Sequence, residues 1–226
     1  SFGTNGFGST FRTVLSWTLI WAFFATFLNY FLGMAVAILI NKKGIKFKKL
    51  WRTILVMTIA VPQFVSLLYV GKMFAADGLV NAYLLKWGLI SQAIPFWTNG
   101  TYAKILIILI NLWIGIPYMM LISTGLLMNI PADLYESARI DGCNEFKIFN
   151  KIIFPVIIPG VATQAIFTFV GCWNSYVQPS ILLFSQEKFT LPILVQQMQG
   201  VYKTDYGVVY LGVTLSVVPI LLLFMF

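Results

Sequence analysis

Four of the seven acidic residues in this 226-residue chain lie in one short stretch, "PADLYESARIDGCNEFKIFNKIIFP", from Pro131 to Pro155. They are Asp133, Glu136, Asp141 and Glu145. The chain has no histidine, so the commonest general acid/base and metal ligand is missing. Cys143 and Cys172 lie far apart, read as free thiols and fit no metal spacing. The other chemistry-bearing groups are amides and hydroxyls inside apolar runs. Asn111, Gly115 and Tyr118 follow i, i+4, i+7 on one helix face, and Thr168, Gly171, Cys172 and Ser175 share a second face. Amides, hydroxyls and aromatic rings can hydrogen-bond and stack on a neutral solute such as a sugar.

Composition sets what must position these groups. Hydrophobic residues make up 59% of the chain and charged residues 10%, against about 25% charged in an average soluble domain. Mean hydropathy is +0.87. The polar surface needed to cover a water-facing globule is missing, so an all-α integral membrane fold is expected. A bilayer core of roughly 30 Å takes about 20 apolar residues per helix. Five spans are expected, at about 14–40, 53–74, 105–128, 156–177 and 208–226. The chain starts without Met and stops inside an apolar run, so residues 1–226 are expected to be a single transmembrane domain truncated at both ends.

Charge orients the spans. "NKKGIKFKKLWR" holds Lys42, Lys43, Lys46, Lys48, Lys49 and Arg52, and the positive-inside rule places it in the cytoplasm. The net charge of +8 therefore reflects topology rather than nucleic-acid binding. Alternation puts residues 75–100 and 178–206 outside and 129–154 inside. Tyr83, Trp87 and Trp97 resemble an interfacial aromatic belt, and Phe189–Gly200 reads as a short re-entrant or surface helix.

The spans contain no Asp, Glu or His of the kind that carries coupling ions. No G-x-x-x-x-G-K-[ST] motif is present either. If this chain moves a solute uphill, the energy enters from another chain. The charged segment at 129–154 offers the surface for that. Asn129 is placed to cap a helix whose first turn holds Pro131, with Asp133 and Glu136 near its positive end. Gly142 breaks the helix. A second helix is expected to place Phe146, Phe149 and Ile153 on one side, with Lys147 and Lys151 on the other. On physical grounds alone, an amphipathic interfacial loop fits these residues as well as a docking element does.

The residues "ESARIDGCNEFKIFNKIIFPVIIP" resemble the EAA motif of permease subunits in binding-protein-dependent ABC importers. That pattern reads E-A-A, three residues, G, nine residues, I-x-L-P. Glu136, Ser137 and Ala138 match its start, Gly142 its glycine, and Ile152, Phe154 and Pro155 its end. Ser137 and Phe154 depart from it. "NLWIGIPYMMLISTGLLMNIPADLYESARIDG" resembles the carbohydrate branch, and most closely the larger maltose/maltodextrin type of permease.

The resemblance implies a type I importer fold and a cytoplasmic helix-turn-helix coupling loop. It implies ATPase-coupling roles for Glu136, Ser137, Ala138, Arg139, Asp141 and Gly142, beside Tyr135. It also implies a second permease subunit, an ATPase dimer that carries ATP and Mg, and an extracytoplasmic solute-binding protein. The chain itself would bind no cofactor, be no enzyme, and sit as a multi-pass protein in membrane lipid of a bacterial or archaeal cytoplasmic membrane.

The resemblance also assigns Asn111, Gly115 and Tyr118, which keep the family's residue types, to a carbohydrate pathway. The matching face of the fourth span, Thr168, Gly171, Cys172 and Ser175, is placed there too but departs from the maltose type, so another oligosaccharide or glycoside is expected as readily as maltose. Helix packing is the competing reading for the small residues among them. A permease for a non-sugar solute, a membrane-embedded enzyme and a channel stay open as alternatives. Charged solutes would want charged pathway residues, and an enzyme would want intramembrane acid/base groups.

Overall fold

The computed structural model describes residues 4–42, 44–183, 188–198 and 206–225. Lys43 of the basic cluster, Gln199 and Gly200 of the expected outer helix, and Phe226 lie outside them. Regular structure among the described residues is helical, with no strand. In order the helices are α1 (Thr4–Asn41), α2 (Lys48–Ala60), α3 (Gln63–Met73), α4 (Leu79–Lys86), α5 (Gly100–Met128), α6 (Ala132–Ile140) and α7 (Glu145–Ile148). A π-helical turn, Phe149–Ile153, leads into α8 (Phe154–Trp173), followed by α9 (Val177–Leu182), α10 (Leu191–Gln197) and α11 (Tyr206–Met225).

Continuous helical runs answer the expected spans in part, and a fourth is counted when the bent pair α2–α3 is taken as one span. Among the described residues, three helical runs are long and apolar enough to cross a membrane: Gly8–Asn41, Gly100–Met128 and Glu145–Leu182. The expected second span is broken into α2 and α3 at Val61 and Pro62. Proline has no N–H to donate and disfavours helical backbone at the residue before it. The pieces, of 13 and 11 residues, are each shorter than a span. Helix α8 itself ends at Trp173, within the longer helical run that continues to Leu182, and the apolar part of α11 is Val209–Met225.

The chain divides into two compact units. The first comprises residues 1–25, 60–111 and 169–226, and the second 26–59 and 112–168. The first unit buries Trp21, Leu67, Ile107, Trp173, Leu182, Leu191 and Leu194. Helix α10 belongs to this core rather than to the surface. Its first backbone N–H, at Leu191, donates to Thr18 Oγ1 at 3.0 Å. Of the aromatic residues expected in an outer belt, Trp97 donates to the Gly71 carbonyl at 2.9 Å, and Tyr83 pairs with Trp87 at 5.6 Å between ring centroids.

The second unit contains both segments that charge places inside. Its core joins Tyr30, Met34, Met119, Ile130, Ala138, Ile148, Ile153 and Ile157. Helices α1 and α5 approach closely there. A Cβ on Gly33 would collide with the Met119 Cβ and crowd the Met119 and Met120 backbone. A Cβ on Gly125 would meet nothing within 4 Å.

Gly33→Val should therefore destabilise the protein by about 1–3 kcal/mol, the usual cost of overpacking. Gly125→Val should leave stability within about 1 kcal/mol of the parent, since the added side chain meets nothing and valine is no worse a helix former than glycine. Thermal unfolding of the two purified variants beside the parent checks the pair.

Candidate functional site

Helix α6 starts at Ala132, with Pro131 in the capping position. The sequence reading placed Asn129 there, but the Asn129 N–H instead donates to the Leu126 carbonyl and closes α5. Proline at the cap gives no side-chain hydrogen bond, and Asp133 supplies the negative charge of the first turn. The far end is tightly closed. Cys143 N–H donates to Ala138 O at 2.9 Å, and Gly142 N–H to Arg139 O at 3.1 Å. This pair of bonds is a Schellman closure, which needs a left-handed residue just past the helix. Gly142 provides it with φ of +74°. Cys143 packs in the same cluster as Ala138, the apolar contact that accompanies such a closure.

Asn144 then caps α7. Its side-chain oxygen accepts from Lys147 N–H at 2.9 Å. Arg139 spans the turn, donating from Nε and Nη2 to Glu145 Oε1 at 3.1 and 2.9 Å. Both partners are exposed, so this pair adds little stability. Ser137 Oγ donates back to the Asp133 carbonyl at 2.8 Å. Tyr135 is half-buried, and burial, followed by the charge of Glu145, raises its hydroxyl pKa above the ordinary 10.0.

The segment is thus anchored on one side and presented on the other. Ala138 is 3% exposed and sits in the second-unit core. Glu136, Ser137, Arg139, Asp141 and Gly142 are exposed. Ile140 is 81% exposed and Phe146 76% exposed, one on each side of the turn. Phe146 was expected on one side with Phe149 and Ile153, opposite Lys147 and Lys151. The residues that face inward are Ile148 and Ile153, with Phe149 half-buried. The π-helical turn explains the difference, because its wider turn aligns residues about five apart rather than four. Ile148 and Ile153 are five apart and both buried. Phe149 and Phe154, also five apart, have ring centroids 6.0 Å from each other.

In the first unit, Asn111 Nδ2 faces Gln178 Oε1 at 3.4 Å. Gln178 is 2% exposed, and its Nε2 donates to the Ile107 carbonyl at 3.1 Å. Cys172 is buried, and its carbonyl accepts from Trp21 Nε1 at 3.1 Å. The Ser175 carbonyl accepts from Thr190 Oγ1 at 3.4 Å. Gly171 is exposed, and a Cβ there would meet nothing within 4 Å. Its lack of a side chain is not explained by close packing.

In the second unit, Gly115 lies directly against the Asn29 side-chain amide, which a Cβ would overlap. Tyr118 is exposed. Thr168 Oγ1 accepts from Gln164 Nε2 at 3.4 Å. Asn29, Gln164 and Gln178 were not singled out from sequence. The signal was present: each is an amide within or just beyond an apolar run, where a polar side chain needs a partner.

The sequence profile of a family described as "Binding-protein-dependent transport system inner membrane component" matches residues 29–226. The galactooligosaccharides transport system permease protein GanP of Bacillus subtilis is 39% identical over 169 residues, covering 74% of this chain and 40% of its own length. The maltose/maltodextrin transport system permease protein MalF of Escherichia coli is 32% identical over 183 residues, covering 80% and 35%. The chain spans about two fifths of the length of such curated relatives. Among solved structures, a bacterial ABC transporter that imports the acidic polysaccharide alginate superposes with a TM-score of 0.80 at 20% identity, covering 95% of this chain and 76% of that one.

The contact between Gly115 and Asn29 gives a test of packing. Gly115→Ala should destabilise the protein by about 1–3 kcal/mol. Asn29→Ala should cost less in that background than in the parent, a coupling of about 0.5–3 kcal/mol. Gly171→Ala should be close to neutral. Thermal unfolding of the single and double variants measures all three.

Proposed function

The chain belongs to the binding-protein-dependent transport system inner membrane components, and from that premise we propose that it forms half of the translocation pathway of an ATP-driven carbohydrate importer. In this reading a separate ATPase chain hydrolyses ATP and docks on the segment 129–154. A second permease subunit completes the pathway, and an extracytoplasmic binding protein delivers the solute. The chain transports and does not catalyse, and it sits in a bacterial cytoplasmic membrane.

One observation carries the reading. The α6–turn–α7 segment is pinned at Ala138 and Ile148 into the same core as Tyr30, Met34 and Met119 of the long helices. Its opposite side presents Glu136, Arg139, Ile140, Asp141 and Phe146 to solvent. A push on the exposed side is therefore delivered to α1 and α5 through close-packed side chains, which have little room to absorb it. Such rigid-body transmission suits switching between two states. The spans also hold no carboxylate that would power transport by themselves. Sugar is the solute class that the relatives' names and the neutral hydrogen-bonding groups Asn111, Tyr118, Thr168 and Ser175 jointly favour.

Gly142→Pro removes the donor to Arg139 O and forbids the left-handed φ. The variant should assemble with its partners yet lose at least about tenfold in solute uptake per ATP hydrolysed, a change of about 1.4 kcal/mol in coupling. Uptake at the parental ratio would refute the coupling role. Asn111→Ala and Tyr118→Ala should each lower sugar uptake while the complex still assembles. If uptake and solute preference both stay at parental values in reconstituted vesicles, these residues are not in the pathway.

A further inference from the structure

The loop between α1 and α2 lies within the second unit, and its charge has one sign. From Lys42 to Ala76 there is no acidic residue, while Lys42, Lys46, Lys48, Lys49 and Arg52 all fall in the first eleven positions. Two of these cations are used inside the fold. Lys48 Nζ donates to the Asn41 carbonyl at 3.1 Å, and Arg52 Nη2 to Asn41 Oδ1 at 3.1 Å, closing the C-terminus of α1. Lys42, Lys46 and Lys49 point outward and are exposed.

Phe47 stands among them and breaks two local rules. It occupies the position before α2, since Trp51 N–H donates to its carbonyl at 3.1 Å. Ser, Thr, Asp or Asn is preferred there, and Phe offers no capping group. It is also the one non-glycine with positive φ among the described residues, at +57°. A bulky side chain in that region is strained, and such strain tends to persist where function needs it. The result is a ring 76% exposed. Leu50, Trp51 and Ile54 continue from Phe47 at i+3, i+4 and i+7 and are exposed as well.

We propose that this loop is a binding site for anionic phospholipid of the cytoplasmic leaflet. Lys42, Lys46 and Lys49 take the headgroup phosphate. Phe47, Leu50, Trp51 and Ile54 lie along the acyl chains. Two features select a lipid as the occupant. The cluster is uniformly cationic, which complements an anionic surface. The apolar stripe next to it carries Trp51, the residue type enriched at the headgroup level. Because the inward placement follows from charge alone, the proposal does not depend on what solute the protein carries.

The test uses the full-length protein reconstituted into nanodiscs of mixed phosphatidylglycerol and phosphatidylcholine, with retained lipid counted by native mass spectrometry. The parent should retain phosphatidylglycerol in preference to phosphatidylcholine. The triple variant K42Q/K46Q/K49Q, which leaves Lys48 and Arg52 on Asn41, should bind phosphatidylglycerol about 100-fold more weakly, from about 1 kcal/mol per lysine. Phe47→Ala should also lower retention, with headgroup preference kept. K72Q/K86Q should change nothing. Equal retention of the two lipids by the parent, or parental retention by the triple variant, overturns the proposal. An equal loss in K72Q/K86Q overturns it too, by showing that net charge rather than this site is read. So does a triple variant that keeps its phosphatidylglycerol but no longer copurifies with an ATPase, which would make the loop a protein contact.

Discussion

A helix leaves its last carbonyls without intrahelical partners, and a membrane offers little water to satisfy them. Four helix ends among the described residues show how such carbonyls are satisfied. Helix α1 ends on Asn41, whose carbonyl is taken by Lys48 Nζ and whose side chain is taken by Arg52. Helix α3 ends near Gly71, whose carbonyl is taken by the Trp97 indole. Helix α8 ends on Cys172 and Trp173, and the Cys172 carbonyl receives the Trp21 indole. Helix α6 has no long side chain to do this. It is closed by its own backbone around the left-handed Gly142.

The choice of closure has functional consequences. A side-chain donor covers the helix end that it satisfies. A Schellman turn needs nothing on top of it, so the end of α6 stays exposed while the Ser137, Ala138 and Arg139 carbonyls are satisfied by backbone N–H groups. Ala138 supplies the carbonyl that accepts the closing bond and is also buried in the second-unit core. The turn is thereby tied to the long helices at the residue where it is formed. Ile140 and Phe146 remain outside, large and apolar, on a segment that carries four carboxylates. That combination suits a protein partner better than bulk water.

What the sequence made legible followed from residue types with few alternatives. Gly142 read as a turn because few other residues adopt positive φ cheaply, and the structure has φ of +74° there. The helical, membrane-spanning character followed from composition. What escaped depended on backbone details that periodicity does not report. The π-helical turn shifts the inward face from Phe146 to Ile148, and a period of 3.6 cannot anticipate this. Pro62 was visible, yet whether a proline kinks a span or splits it depends on its neighbours. Gly115 read equally as pathway or packing, and only the position of Asn29 shows how tightly it is packed. Gln178 lies beyond the end of α8, and its bond to the Ile107 carbonyl joins segments 71 residues apart.

The central claim is that energy enters this chain through the turn between α6 and α7. The most direct test is site-specific photo-crosslinking in native membranes, with benzoylphenylalanine at Ile140 in the full-length protein. The account predicts a crosslink to an ATP-hydrolysing subunit whose yield changes when ATP is added. The same probe at Tyr83 should give no such crosslink. Labelling at Ile140 that reaches only lipid, or that is unaffected by ATP, would contradict it.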